Sequence, residues 1–230
     1  QTLLKLDHPN IVKLLNYIEQ DNGLYLIMEY VDGCSLEDYI LKKNGLIVEK
    51  RAYEMIKELL MAFSYAHKKG VIHRDIKPSN IFITKDNHIK ILDFGIAHLV
   101  TESNDDEKGW VIGTPSYMSP EQVEGSDIDI RSDIYSLGVL IHTMLTGHAP
   151  YDETTMSEEI IKENVLKQPL RRMKEYYPYI SEGLQKVIDK ATSKNRKYRY
   201  QNCDELHKDI KKILAPDPIR NYIKYSIIGL

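Results

Sequence analysis

The chain of 230 residues sets 31 lysines and arginines against 34 aspartates and glutamates, a net charge of −3, with 42% hydrophobic residues. That near balance excludes bulk electrostatic attraction to nucleic acid or an acidic membrane surface, and the apolar fraction suffices for a folded domain with a sizeable core. Two cysteines, Cys34 and Cys203, with no CxxC pair, argue against a disulfide framework and a zinc site and suit a reducing, cytoplasmic setting in which both are packing residues.

Leu3, Leu4 and Leu6 read as the end of an amphipathic helix, so the chain is expected to begin inside a structural element, with further residues upstream of Gln1. Leu24 to Tyr30 (LYLIMEY) is a short apolar run between Asn22-Gly23 and Asp32-Gly33, which predicts a buried strand at a hairpin edge. From Glu49 to Lys68 the apolar residues Ala52, Met55, Ile56, Leu59, Leu60, Phe63 and Ala66 recur at helical spacing, with Gly70 as terminator. Ile81-Phe82-Ile83 and His88 to Leu92, separated by Lys85-Asp86-Asn87, predict a small hairpin. Thr101 to Gly109 is polar, acidic and aperiodic, the pattern of an exposed loop. Ser132 is expected to cap a buried helix from Asp133 to Leu145 that Gly147 closes, and Ile180 to Ala191 and Asp204 to Leu214 predict two amphipathic helices. The apolar run around Tyr135 to Leu145 is broken by Ser136, Gly138, His142 and Thr143 and falls short of the roughly 18 residues a membrane helix needs, so no membrane segment is expected.

His73-Arg74-Asp75-Ile76-Lys77-Pro78-Ser79-Asn80 lies between the long helix and the first hairpin strand, and Asp93-Phe94-Gly95 follows the second. These resemble the catalytic loop and DFG motif of protein kinases; a lone DFG would be a weak signal, whereas the ordered set is specific. Phosphoryl transfer needs a group that orients and deprotonates a hydroxyl, and cations that neutralise phosphate charge. Asp75 suits the first role, and a carboxylate and an amide oxygen brought together by the hairpin suit Mg²⁺. The resemblance implies Asp75 as base, Lys77 as the charge on the transferred phosphate, and Asn80 and Asp93 as metal ligands. The cofactors implied are ATP and Mg²⁺, and the partners are proteins carrying Ser or Thr.

Further likenesses run along the chain. HPNIVKL at His8 to Leu14 resembles the link after helix αC, and Met28-Glu29-Tyr30-Val31 the hinge. A nucleotide pocket of Met28 as gatekeeper, Glu29, Val31, Ser35 and Phe82, with Lys77, Asn80 and Asp93, is thereby implied. His73 and Phe94, with Leu3 and Leu14, would form an apolar spine, His73 being a core residue rather than a catalyst. Gly113 to Glu121 resembles the end of an activation segment, with SPE in place of APE, and Thr114 points to Ser/Thr specificity. Glu121 is expected to pair with Arg199, and Asp133 to brace the catalytic loop. SPEQ, SDIYSLG and RYQNCDEL look most like the bacterial, eukaryotic-like branch. Arg74 is expected to meet a charge on the activation segment, either phosphorylated Thr101 or Ser103 or the carboxylates of Asp105, Asp106 and Glu107 standing in for phosphate; the alternative is a solvated acidic loop with no partner.

The expected architecture is α+β and kinase-like, a mostly helical C-terminal lobe with a remnant of the β-rich N-terminal lobe. The domain is expected over 1–214, with the hinge near 29–33, the helical lobe from about 35, and a tail or linker at 215–230. No glycine-rich loop, β3 lysine or αC glutamate occurs in the chain, and the resemblance covers about three quarters of a full domain. The chain by itself is therefore expected to be nearly inactive, with Leu3, Leu14 and Leu26 uncovered. A non-catalytic, kinase-like scaffold is the alternative; intact Asp75, Lys77, Asn80 and Asp93 favour the enzyme, and the residues upstream of Gln1 discriminate the two.

Overall fold

A computed structural model describes residues 6–20, 23–42, 47–94 and 115–215. In chain order the elements are β1 (Leu14–Gln20), β2 (Gly23–Met28), β3 (Gly33–Ser35), α1 (Leu36–Lys42), α2 (Glu49–Lys68), β4 (Ile81–Thr84), β5 (Ile89–Ile91), α3 (Pro120–Val123), α4 (Ile130–Thr146), α5 (Glu158–Lys167), α6 (Glu182–Ala191) and α7 (Cys203–Leu214). The composition is that of an α+β protein dominated by helix.

The strands form two small sheets. β1 and β2 make an antiparallel hairpin, with Tyr17 opposite Leu26, and β3, β4 and β5 form a second antiparallel sheet in that order. Gly33 is required by β3 pairing, since a Cβ there would lie 2.1 Å from the Ile83 carbonyl oxygen. The segment before β1 joins the second sheet through Val12 N–H to Ile91 O (2.8 Å) and Ile91 N–H to Asn10 O (2.8 Å). Asn10 is itself buried and satisfied, donating to Ile89 O and Glu58. The hairpin carries large apolar side chains in the open: Leu15, Tyr17, Ile18, Tyr25 and Ile27 are 40–60% exposed. Leu14 and Leu26, expected to be uncovered, are half-buried instead.

The core lies in the helical part. Every apolar position read on α2 is buried, and this face packs on α4, α7 and β5. α4 is buried from Ser132 to Thr146, although it contains Ser136, Thr143 and Thr146. Their hydroxyls donate to carbonyls four residues earlier, which satisfies them inside the helix. Gly147, at φ 75°, closes the helix. The start of α4 differs from the sequence expectation: Asp129 caps it by accepting from Arg131 N–H, and Ser132 lies inside. The Ser132 hydroxyl is diverted to Glu121, to which it donates at 2.5 Å.

Glu121 is also the partner of Arg199, which donates from both terminal nitrogens at 2.6 and 2.8 Å and further to the carbonyls of Arg131, Ser193 and Lys194. Both residues are buried, Arg199 to 2% exposure. Burial alone would raise the Glu121 carboxyl, but the hydrogen bonds from Arg199 and Ser132 outweigh it and hold the group below its ordinary range. The pair fastens α3 to the start of α4 and to the turn before α7. Truncating Arg199 to Ala strands a buried carboxylate and should cost about 3–5 kcal/mol in denaturant unfolding; breaking an exposed pair such as Arg172–Glu182 should leave the unfolding midpoint close to that of the parent.

Candidate functional site

The site grows from the C-terminal end of α2. Gly70, at φ 76°, turns the chain out of the helix, and residues 71–77 run as a loop to a 3₁₀ turn, Pro78–Asn80, that leads into β4. Across this loop, β5 ends at Ile91 and is followed by Asp93. Leu92 N–H donates to Asn80 O at 2.9 Å, so the residues at the ends of the two strands are held side by side.

Asp75, Lys77 and Asn80 converge. Lys77 Nζ lies 3.1 Å from Asp75 Oδ2, and Asn80 Nδ2 donates to the same oxygen at 2.9 Å and to Asp75 O at 2.8 Å. Among the described residues Asp75 Oδ1 has no partner, nor has the Asn80 side-chain oxygen, nor either carboxylate oxygen of Asp93. Such a constellation offers a carboxylate oxygen fixed in orientation, an ammonium beside it, and two hard oxygen donors. Asp93 sits at φ 59° and Arg74 at φ 71°, left-handed conformations that cost a non-glycine residue energy and persist only where neighbours over-determine them.

The neighbours are identifiable. Asp133, from α4, is 1% exposed and accepts from His73 N–H (2.9 Å), Arg74 N–H (3.0 Å) and the His67 ring (2.8 Å). Burial would raise its carboxyl, yet these bonds outweigh the desolvation and hold it below the ordinary carboxylate range. Gln122, from α3, donates to Arg74 O at 2.6 Å. His73 accepts from Asp75 N–H at Nδ1 and therefore donates from Nε2 to Leu92 O (2.8 Å), which fixes the neutral tautomer. Its ring packs against Phe63 and, at 4.8 Å, Phe94. Full burial lowers its proton affinity, consistent with a neutral core imidazole.

The residues of the expected nucleotide pocket are placed nearby. Met28 bounds a cavity of about 20 Å³ with Leu14, Asp93 and Phe94. The Glu29 carbonyl and Val31 N–H have no partner among the described residues, while the Glu29 side chain is engaged by Lys13 N–H and Lys90. Phe82 is half-buried on β4 opposite Ser35. The Ser35 hydroxyl is committed elsewhere: it accepts from Asp38 N–H and donates to the Asp38 carboxylate at the start of α1. A cavity of about 650 Å³ lies apart, between the α4–α5 loop and the end of α5, and includes none of the predicted residues.

Leu3, Thr101, Ser103, Asp105, Asp106, Glu107 and Thr114 lie outside the described residues. Arg74, their expected counterpart, has a buried Nε with no partner among the described residues. His67 and Gln122 are the two site residues that sequence reading missed. His67 falls four residues after Phe63, on the apolar stripe of α2, and a polar residue there was the available signal.

The model of the protein kinase domain matches residues 1–211. The chain belongs to the protein kinase family. It is similar to the serine/threonine-protein kinase PrkC of Bacillus subtilis (35% identity over 94% of this chain and 33% of that protein). It is also similar to serine/threonine-protein kinase PknB of Mycobacterium tuberculosis (35% identity over 95% of this chain and 35% of that protein). A third relative, a probable serine/threonine-protein kinase PknB of Lactococcus lactis, is 34% identical over 90% of this chain and 33% of that protein. The chain thus spans about a third of the length of the curated relatives it matches. Protein kinases use ATP and Mg²⁺, and the oxygen donors of Asn80 and Asp93 fit a hard cation that completes its shell with phosphate and water.

The site's buried histidine sets a pH dependence. His73 and His142 have proton affinities lowered by burial from an ordinary value of 6.5, so the unfolded chain takes up protons that the folded one refuses. Their contribution to stability is full above about pH 6.5 and is lost as the pH falls below it. The melting temperature should drop from pH 7.5 to 5.5, and His142→Gln, remote from the catalytic loop, should flatten that slope; a slope unchanged by the substitution would remove His142 from the explanation.

Proposed function

We propose that this chain is the catalytic part of a protein serine/threonine kinase that transfers the γ-phosphoryl group of ATP to Ser or Thr hydroxyls of proteins. The observation that carries the reading is the convergence of Asp75, Lys77 and Asn80 beside Asp93, on a loop held at both edges. The names of the relatives support the Ser/Thr class. Thr114, the residue that suggested this class in the sequence, adds no structural support because it lies outside the described residues.

In this reading Asp75 orients the incoming hydroxyl and receives its proton at Oδ1, while Oδ2 stays bonded to Lys77 and Asn80. The hydroxyl oxygen forms a bond to the γ-phosphorus, the bond to the bridging oxygen breaks, and ADP departs. The Lys77 ammonium neutralises charge that develops on the transferred group. Asn80 and Asp93 would hold Mg²⁺, which supplies charge neutralisation on the phosphates. The free Glu29 carbonyl and Val31 N–H offer an acceptor and a donor to the adenine edge, Met28 stands behind it and Phe82 supplies an apolar floor. Ser35 contributes as the cap of α1, which seats the chain where it enters the helical lobe. His73, Phe94, Asp133, Glu121 and Arg199 are supporting residues, and Arg74 is the one whose guanidinium awaits the activation segment. The domain extends over 1–214, with the hinge near 29–33. No described helix is long and apolar enough to cross a membrane; the need for ATP and the two unpaired cysteines support a cytoplasmic setting for the domain.

In the protein with its full set of ATP-binding residues, Asp75→Asn and Asp93→Asn should each lower turnover on a protein substrate by at least about 10². The melting temperature should stay near that of the parent, since neither side chain is a buried brace. Unchanged turnover in either variant would remove that residue from the mechanism.

A further inference from the structure

Arg74 precedes the proposed base and sits at φ 71°, a conformation its own sequence does not favour. Its N–H edge is held by Asp133 from α4. Its C=O edge is held by Gln122, whose side-chain nitrogen donates to Arg74 O at 2.6 Å. The other end of that amide is not free to turn. Gln122 Oε1 accepts from Ser119 N–H at 3.0 Å and from the Ser119 hydroxyl at 3.1 Å, the reciprocal cap that starts α3. Two donors on one side and a carbonyl acceptor on the other admit only one orientation of the amide. Gln122 is buried, so water does not substitute for it at the Arg74 carbonyl.

We infer that Gln122 is a positioning residue: it ties the start of α3 to the peptide link between Arg74 and Asp75, and so sets the direction in which the Asp75 carboxylate points. The inference rests on Asp75 being the base, and it assigns to one amide a coupling between the end of the activation segment and the catalytic loop. Movement of Ser119 relative to the loop acts through this amide on the carbonyl of the residue before the base. The adjoining Glu121–Arg199 pair anchors α3 from its other side, so the strut is fixed at both ends.

The test uses two substitutions of similar size in the active protein. Gln122→Met removes the donor and should lower kcat by about ten- to a hundredfold at every pH, with KM for ATP within about twofold, because misdirection of the base leaves nucleotide binding intact. Gln122→Glu opposes a carboxylate to the Arg74 carbonyl at high pH, and on protonation regains a donor. The titratable and charged groups on the elements packed around this position are His73, Arg74 and Asp75 of the loop, Asp133 of α4, Glu121 with its partner Arg199, and Glu158, Glu159, Lys162, Glu163 and Lys167 of α5, which packs on α3. All are common to parent and variant, so the ratio of the two kcat values isolates position 122. That ratio should rise towards one as the pH is lowered from about 8.5 to about 6. A kcat for Gln122→Met within twofold of the parent, or a flat ratio for Gln122→Glu, overturns the inference. Asp75→Asn, measured alongside, reports separately on the kinase reading. Hydrogen exchange at the Arg74 and Asp75 amides gives a readout independent of turnover. Gln122→Met should speed it about tenfold with α7 unchanged, and equal exchange in parent and variant also overturns the inference.

Discussion

One buried carboxylate organises the centre of this molecule. Asp133 is taken out of water by α4, and a charge in that position is tolerable only because three donors converge on it. Two of the donors are backbone N–H groups of the loop that carries Asp75, and the third is the ring at the end of α2. The cost of burial is thereby turned into geometry: the carboxylate stays ionised only if the loop is in place, and the loop stays in place only if the carboxylate is ionised. The left-handed Arg74 is the local consequence, a strained residue whose N–H and C=O are both spoken for.

The site is supported by helices rather than by its own sheet. β4 and β5 are short; their pairing, which ends with Ile81 opposite Ile91, is carried one step further by the backbone bond from Leu92 N–H to Asn80 O, and the neutral His73 that reaches Leu92 O holds the same point from the helical side. His73 does this from an aromatic stack with Phe63 and Phe94, so the same ring belongs to the apolar core and to the hydrogen-bonded frame. A protonated imidazole could not accept from Asp75 N–H, which makes its burial in an apolar setting part of the loop's architecture.

Much of the fold was legible because its signals are local. The α2 stripe, the β4–β5 hairpin and the Gly147 stop depend on periodicity, turn residues and a positive φ, each readable within a dozen positions. The start of α4 was misplaced because Asp129 and Ser132 are both good caps, and the choice between them is made by Glu121, which claims the Ser132 hydroxyl from outside the segment. β1 was missed since Leu15, Tyr17 and Ile18 show no clean alternation of buried and exposed positions. In the site, Asp75, Asn80 and Asp93 stood out by spacing. Gln122 did not, because an amide meeting a carbonyl across the fold leaves no trace in spacing along the chain, and His67 showed only as a polar residue on the apolar stripe of α2. Ser35 shows the converse: a hydroxyl near the expected nucleotide pocket is consumed by the helix it caps.

The late position of two of these braces in the chain has a consequence for how the protein comes into being. Arg199 closes on Glu121, and Cys203, at the first turn of α7, lies against the His67 ring that supports Asp133. Both come long after Asp75 in the order of synthesis, and α7 packs along α2, whose end launches the catalytic loop. A nascent chain that has released the loop but still holds α7 in the ribosome therefore possesses the reactive side chains without their frame. The frame around Asp133 is complete only when α7 is in place. Until α7 packs on α2, the loop that bears Asp75 lacks one side of its frame, and during that interval of synthesis it is open to water and to other proteins.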